Sequence, residues 1–247
     1  MENNVAAADR LIAHRGYPHR YPENTLPGIE AAIRAEARYI EVDVQLSADG
    51  VAVLFHDRDL QRLCGQPGAL HEYDWAVLKR FHIGNVGISK LETLVALLAQ
   101  SPQVTAFIEL KRISLSAFGE SRVVSQVMKI LQPALSQCVI ISYSLAALEK
   151  VREFGEQPIA VVADDWRELQ QSPAQALRPE YLFCDIQTLP AQGALAIPGS
   201  RLAVYECTDA KQAGAVLARG VDLVETFAIA EMMRALQDQA LKGAIEL

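Results

Sequence analysis

Basic residues are scarce in this 247-residue chain: 23 Lys and Arg stand against 30 Asp and Glu, a formal charge of −7. That balance excludes a sequence-independent grip on nucleic acid, which needs a concentrated excess of Lys and Arg. It leaves room for a phosphate ester, because a few basic groups and a cation can make one positive spot inside a negative molecule. Cysteine is sparse too. Cys64, Cys138, Cys184 and Cys207 are widely spaced, form no C-x-x-C pair and mostly sit in apolar runs such as "QCVIIS" and "YLFCDI". They read as buried thiols. No apolar run reaches membrane-spanning length, and the opening "MENNVAAADR" has acidic and polar residues where a secretory signal needs a basic start and an apolar stretch. These absences predict a cytoplasmic protein with no membrane insertion. Internal repeats, low-complexity tracts and linkers are missing as well.

What is present is an ordinary globular composition, 51% hydrophobic and 21% charged, read as one domain over residues 1–247. Short β-rich apolar runs alternate with amphipathic helical patterns, which predicts a mostly parallel sheet covered by helices. Eight such runs occur, at 10–14, 39–45, 104–110, 138–142, 158–163, 180–185, 201–206 and 221–226. Helical patterns occupy 26–37, 91–100, 119–131, 145–154, 209–219 and 229–241, with a weak segment after Asp165. Residues 186–200 carry two prolines and two glycines, so any helix there is short or irregular. Eight strand and helix units predict closure into a single (β/α)₈ barrel, an α/β fold; on pattern alone a doubly wound open sheet is the alternative. After strand two come a hairpin at Asp49-Gly50 and a polar, turn-rich stretch at 58–90. It reads as an insertion at the mouth of the barrel, where loops bear substrate specificity.

In such a barrel the active site forms at the carboxyl ends of the strands. Strand one runs into His14 and Arg15; strand two holds Glu41 and Asp43; the hairpin after it ends on His56 and Asp57; strand three ends on Glu109 and Lys111. Two residues apart in an extended strand, Glu41 and Asp43 point to the same side. Crowded carboxylates in a poorly solvated space call for a divalent cation, and Glu109 on the next strand supplies a third oxygen ligand. An all-oxygen set suits Mg²⁺ or Ca²⁺ better than Zn²⁺. The bland alternative pairs Glu41 and Asp43 with Arg or Lys outside the barrel. His14 and His56 are candidates for base and acid, since displacement at phosphorus takes a proton on one side and delivers one on the other. Arg15 can hold two phosphate oxygens with its planar fork and Lys111 a third, or either can be a rim ion pair. Gly16 lets the backbone approach a substrate or simply turns. His19, His71 and His82 read as loop residues.

Together these residues resemble the glycerophosphodiester phosphodiesterases. The matching pieces are "AHRG" (13–16), "PENT" (22–25), "IEVDVQLSADG" (40–50), "FHD" (55–57), "IELK" (108–111), "ISYS" (141–144) and "RGVDLVET" (219–226). The first five are specific as an ordered set. The resemblance implies a (β/α)₈ barrel, metal ligation by Glu41, Asp43 and Glu109, catalytic His14 and His56, and phosphate contacts from Arg15 and Lys111. It also implies that Glu23 and Asn24 order the first loop against the site. Two stretches depart from the family pattern. Tyr205 followed by "CTD" after Glu206 replaces a Trp and T-V-N near strand seven, keeping an aromatic wall with different partners. Around Phe227, "VETFAI" replaces a T-D with a nearby proline.

The expected activity is therefore metal-dependent hydrolysis of a small glycerophosphodiester to sn-glycerol 3-phosphate and an alcohol. One rival is a catalytically silent barrel that binds a phosphate ester or a partner protein; completeness of the site argues against it. Another is a related phospholipase-type phosphodiesterase, which the lack of a signal peptide and of an apolar membrane-contact segment disfavours.

Overall fold

The computed structural model describes residues 9–245, so the reading of the first eight residues lies outside them. The chain opens on β1 (Leu11–Ala13) and α1 (Leu26–Arg34), then β2 (Tyr39–Leu46), whose antiparallel partner β3 (Ala52–Leu54) returns across the Asp49-Gly50 turn. The stretch that follows holds short pieces: α2 (Gln61–Cys64), a 3₁₀ turn (Leu70–Glu72), α3 (Trp75–Leu78) and the two-residue strands β4 (His82–Ile83) and β5 (Val86–Gly87). Alternation resumes with α4 (Leu91–Leu98), β6 (Thr105–Leu110), α5 (Arg112–Phe118), α6 (Glu120–Leu131), β7 (Cys138–Ser142), α7 (Leu145–Arg152) and β8 (Ile159–Ala163). It ends with α8 (Trp166–Leu169), α9 (Ser172–Ala176), β9 (Tyr181–Asp185), β10 (Arg201–Tyr205), α10 (Ala210–Leu217), β11 (Leu223–Thr226) and α11 (Ile229–Ile245).

Strands β1, β2 and β6 to β11 pair in parallel, and β1 joins both β2 and β11, so the sheet closes on itself as an eight-stranded barrel. The open-sheet alternative is thereby excluded. Period-2 alternation sorts each strand into two layers. Ile40, Val42 and Val44 of β2, with Ala106 and Ile108 of β6, face the helices; Ile12, Phe107, Ile141, Val162, Phe183 and Leu223 fill the barrel interior. The amino end is plugged by Arg201, whose guanidinium donates to the hydroxyls of Tyr39 (3.1 Å) and Tyr181 (3.4 Å) and lies over both rings. Interior positions at the other end are polar, and there the barrel opens.

Three local expectations need correction. Helix α5 occupies residues to which no helix was assigned: it is held by tertiary contact, the Leu46 N–H donating to Ser114 Oγ at 2.8 Å, where the sequence pattern alone is too short to signal a helix. His71 sits in a 3₁₀ turn and His82 opens β4, neither in plain loop. Cys64 is half-buried, while Cys138, Cys184 and Cys207 are buried as expected. The segment after Asp165 is helical because Asp165 caps it, accepting from the Arg167 N–H at 2.8 Å. No helix among the described residues is long and apolar enough to cross a membrane.

Candidate active site

The alternation that fills the barrel with apolar groups puts carboxylates at its mouth. Glu41 and Asp43 both face inward, 2% and 1% exposed, and parallel pairing of β2 with β6 sets Asp43 directly beside Glu109. Oxygens of these three carboxylates lie within 4.8 Å of one another. Lys111 Nζ stands 3.0 Å from Asp43 and 2.8 Å from Glu109. Asn24 donates to Asp43 Oδ2 at 2.8 Å and accepts from the Asp43 N–H at 3.0 Å, so the PENT loop is tied to β2 through this residue. Burial works to raise the Asp43 pKa, but Lys111 and Arg15 outweigh it and hold the carboxyl well below the usual range. Glu41 goes the other way: burial, then the charges of Asp43 and Glu225, push it well above. Burial also raises Glu109 against the pull of Lys111.

β1 delivers His14 and Arg15 to the same mouth. The His14 ring stacks on Phe227 (4.7 Å between centroids, 12° between planes). Its Nε2 is 3.6 Å from Glu41, and its Nδ1 is 3.7 Å from both Glu206 and Glu225. Burial and the neighbouring Arg15 lower its pKa well below the ordinary value, which leaves the ring neutral at pH 7. Arg15 has a left-handed backbone (φ 55°), donates its N–H to Glu41 at 3.1 Å, and pairs through its side chain with Glu23 (3.1 Å) and Asp43 (3.4 Å). Gly16 serves the turn and its packing. With φ at 86°, a Cβ there would lie 3.0 Å from the backbone of Gly28 and Ile29 in α1.

His56 follows β3, its Nδ1 2.8 Å from Asp57. Asp57 in turn accepts from Arg62, which also donates to Glu23 at 2.8 and 2.9 Å. Burial lowers the His56 pKa while Asp43 and Asp57 hold it up. The loop is clamped by Gln45, whose amide donates to the carbonyls of Phe55, His56 and Asp57 at 3.0, 3.2 and 2.7 Å. Gln45 continues the inward phase of Glu41 and Asp43, so the same spacing rule reaches it.

A cavity of about 200 Å³ brings together His14, Arg15, Glu41, His56, Glu109 and Lys111, with Tyr205 on its wall. Asp43 is buried against the lining residue Lys111, Asn24 bonds to Asp43, and Glu23 bonds to the lining residue Arg15. Tyr205 donates to the Ala163 carbonyl at 2.9 Å and its hydroxyl meets that of Tyr143 at 3.0 Å. Glu206, Glu225, Phe227 and Tyr143 are site residues to which the motif reading gave no role, although Tyr143 and Glu225 lie in matching pieces and Glu206 and Phe227 in the two departing stretches. Glu225 was legible, since it follows Leu223 at the inward spacing of β11 and stands beside Ile12 of β1. Burial and the Glu109 charge push its pKa well above the ordinary range. Among the described residues, buried Oε1 atoms of Glu41 and Glu225 have no hydrogen-bond partner. Clustered oxygens with unmet acceptors fit a hard divalent cation held by Glu41, Asp43 and Glu109.

A 110-residue segment is 37% identical to a glycerophosphodiester phosphodiesterase of Bacillus altitudinis, covering 41% of this chain and 45% of that one. A human glycerophosphodiester phosphodiesterase 1 matches at 36% over 76 residues, 30% of this chain and 23% of its own. The chain thus spans less than half the length of these curated relatives. Among solved structures, an Oleispira antarctica phosphodiesterase in complex with the product sn-glycerol-3-phosphate superposes with a TM-score of 0.83 at 22% identity, over 92% of this chain and 96% of that one. A glycerophosphodiester phosphodiesterase from Parabacteroides distasonis gives 0.80 at 19% identity, over 94% and 98%. At such identities these two speak for the fold. The family model of the glycerophosphoryl diester phosphodiesterases matches residues 14–176, a segment that begins on His14 and runs past Lys111. By that match the chain belongs to the glycerophosphoryl diester phosphodiesterase family.

Proposed function

We propose that this chain is one barrel domain that hydrolyses glycerophosphodiesters to sn-glycerol 3-phosphate and an alcohol with the aid of Mg²⁺ or Ca²⁺. The observation that carries the reading is the convergence of two imidazoles, two cationic side chains and the carboxylates of Glu41 and Glu109 on one cavity, with Asp43 clustered against those two carboxylates. The product complex of the Oleispira antarctica phosphodiesterase, on the same fold, supports a small phosphate ester as ligand. A cytoplasmic setting accords with four cysteines that are all free thiols.

Glu41, Asp43 and Glu109 would hold the cation, which when bound neutralises charge on the phosphodiester and its transition state. Arg15 and Lys111 take the remaining phosphate oxygens, Arg15 presenting a fork aligned by Glu23 and Phe227. His14, neutral because it is buried beside Arg15, accepts a proton from the nucleophile, water or the glycerol 2-hydroxyl. His56 protonates the departing alcohol from the other side. Asp57 on His56 Nδ1 and the arriving phosphodiester anion both favour the protonated ring, against the pull of burial. Tyr205 forms a wall of the cavity.

The two histidines separate by leaving group. An alkoxide needs a proton to depart and a nitrophenolate does not. His56→Ala is expected to lose roughly 10²- to 10⁴-fold on glycerophosphocholine, yet keep much of its rate on a nitrophenyl ester of glycerol phosphate. His14→Ala is expected to lose on both. Rescue of His14→Ala by the nitrophenyl ester would reverse the roles; rescue of neither would remove both from acid–base work.

A further inference from the structure

The cavity that gathers these residues has a neighbour. Beyond His56, Glu109, Lys111 and Tyr143, which line both spaces, a cleft of about 720 Å³ opens between the start of the insertion and α5. Its additional walls include Arg58 and Arg112. If His56 protonates the departing alcohol, that alcohol lies on the His56 side, and this cleft is the space available to it.

The charges of that cleft are unequal. Asp57 is engaged by His56 and by Arg62, and Glu109 by Lys111 at 2.8 Å. Arg58 makes no ion pair or side-chain hydrogen bond among the described residues and is exposed. Arg112 Cζ sits over the Tyr143 ring, 4.2 Å from its centroid, with one contact to Asp164 at 3.4 Å. The Tyr143 ring is itself fixed through Tyr205 to the Ala163 carbonyl. Arg112 is therefore held at the cleft wall by stacking, which leaves most of its donors unspent. Two guanidinium groups face a space whose acids are already paired.

We propose that this cleft is the alcohol subsite and that Arg58 and Arg112 select leaving alcohols carrying an anionic group, a phosphate or a carboxylate, over cationic ones such as choline. The assignment rests on the phosphodiesterase reading above. Arg58 and Arg112 touch the departing group at a distance from the reacting atoms, so they act on binding and appear in KM before kcat.

The test compares pairs of alcohols differing in charge. Glycerophosphoinositol and its 4-phosphate differ by one phosphate monoester; glycerophosphoserine and glycerophosphocholine set a carboxylate-bearing alcohol against a cationic one. The expected kcat/KM preference for the more anionic member is roughly five- to tenfold, through KM, and shrinks as salt is raised. Arg58→Ala/Arg112→Ala should erase it, and Arg58→Glu/Arg112→Glu should reverse it toward the choline ester; a circular-dichroism melt of each variant checks folding. Turnover of all four with ratios near one, or a preference unmoved by both double variants, overturns the subsite. No turnover of any of them overturns this assignment together with the phosphodiesterase reading. A serine preference without an inositol-phosphate preference restricts the anion to a carboxylate.

Discussion

At the residue scale the site is a concentration of buried acid around two basic groups, and its electrostatics lead to a pH prediction. Glu41 and Glu225 have folded-state pKa values well above the ordinary 4.5, caused by burial first and by neighbouring carboxylates second. Below 4.5 these groups are protonated in folded and unfolded chains alike. As pH climbs past it, the unfolded carboxyls ionise freely and the buried ones cannot, so stability of the metal-free protein falls until the raised values are passed. Glu225→Gln removes one such group. In chelator its melting temperature should exceed that of the parent at pH 8, with the gap closing toward pH 4. Each kcal/mol relieved corresponds to about 2–4 °C at this length. A constant gap across that range would contradict the crowding account. Glu41→Ala should likewise fold, holding or gaining stability without metal, while losing cation-dependent turnover.

At the scale of elements, the insertion is attached to the site by a few side chains. Arg62 of α2 spans Asp57 and Glu23, joining the insertion to both the His56 loop and the first loop. Both carboxyls sit below their ordinary pKa: burial opposes the shift, and Arg62 drives it. Their contribution is present above pH about 4.5 and disappears as pH falls through the lowered values. Arg62→Ala is expected to cost roughly 1 kcal/mol or less at pH 7, since its guanidinium is half-exposed and screened. Urea melts at pH 7 and pH 3 check this: the difference from the parent should narrow in acid. Shortening the insertion within 58–90 should alter which alcohols are accepted more than it alters metal affinity, as isothermal titration with Mg²⁺ or Ca²⁺ would report.

The same scale explains what the sequence made legible. All eight barrel strands were readable to within two residues at their starts because each is an apolar run between helical patterns. Glu41, Asp43, Glu109 and His14 were readable because period-2 spacing and strand ends fix where side chains point. α5 was not, since seven residues carry little periodicity and the helix depends on docking against Leu46. Nor were Glu206, Phe227 and Arg62. Their place at the site depends on loops whose course is set by tertiary contacts such as the Phe227 stack on His14. Glu225 and Gln45 fall between: both obey the inward spacing and lie inside the quoted pieces "RGVDLVET" and "IEVDVQLSADG", but neither was singled out within them.

At the scale of the whole molecule, a negatively charged barrel gathers its functional basic groups at one mouth. The floor is shut by Arg201 between two tyrosines, so ligands meet the molecule at the carboxyl ends of the strands. The central claim is that this mouth works as a cation-assisted glycerophosphodiesterase. The direct test is to strip the purified protein with chelator, return Mg²⁺, Ca²⁺ or Mn²⁺ separately, and follow glycerol phosphate release from a panel of soluble glycerophosphodiesters. The account predicts no release in chelator, and recovery with at least one of these ions that is lost in Glu41→Ala and Asp43→Ala. Release that is indifferent to chelation, with no metal bound in Mg²⁺ or Ca²⁺, would contradict it.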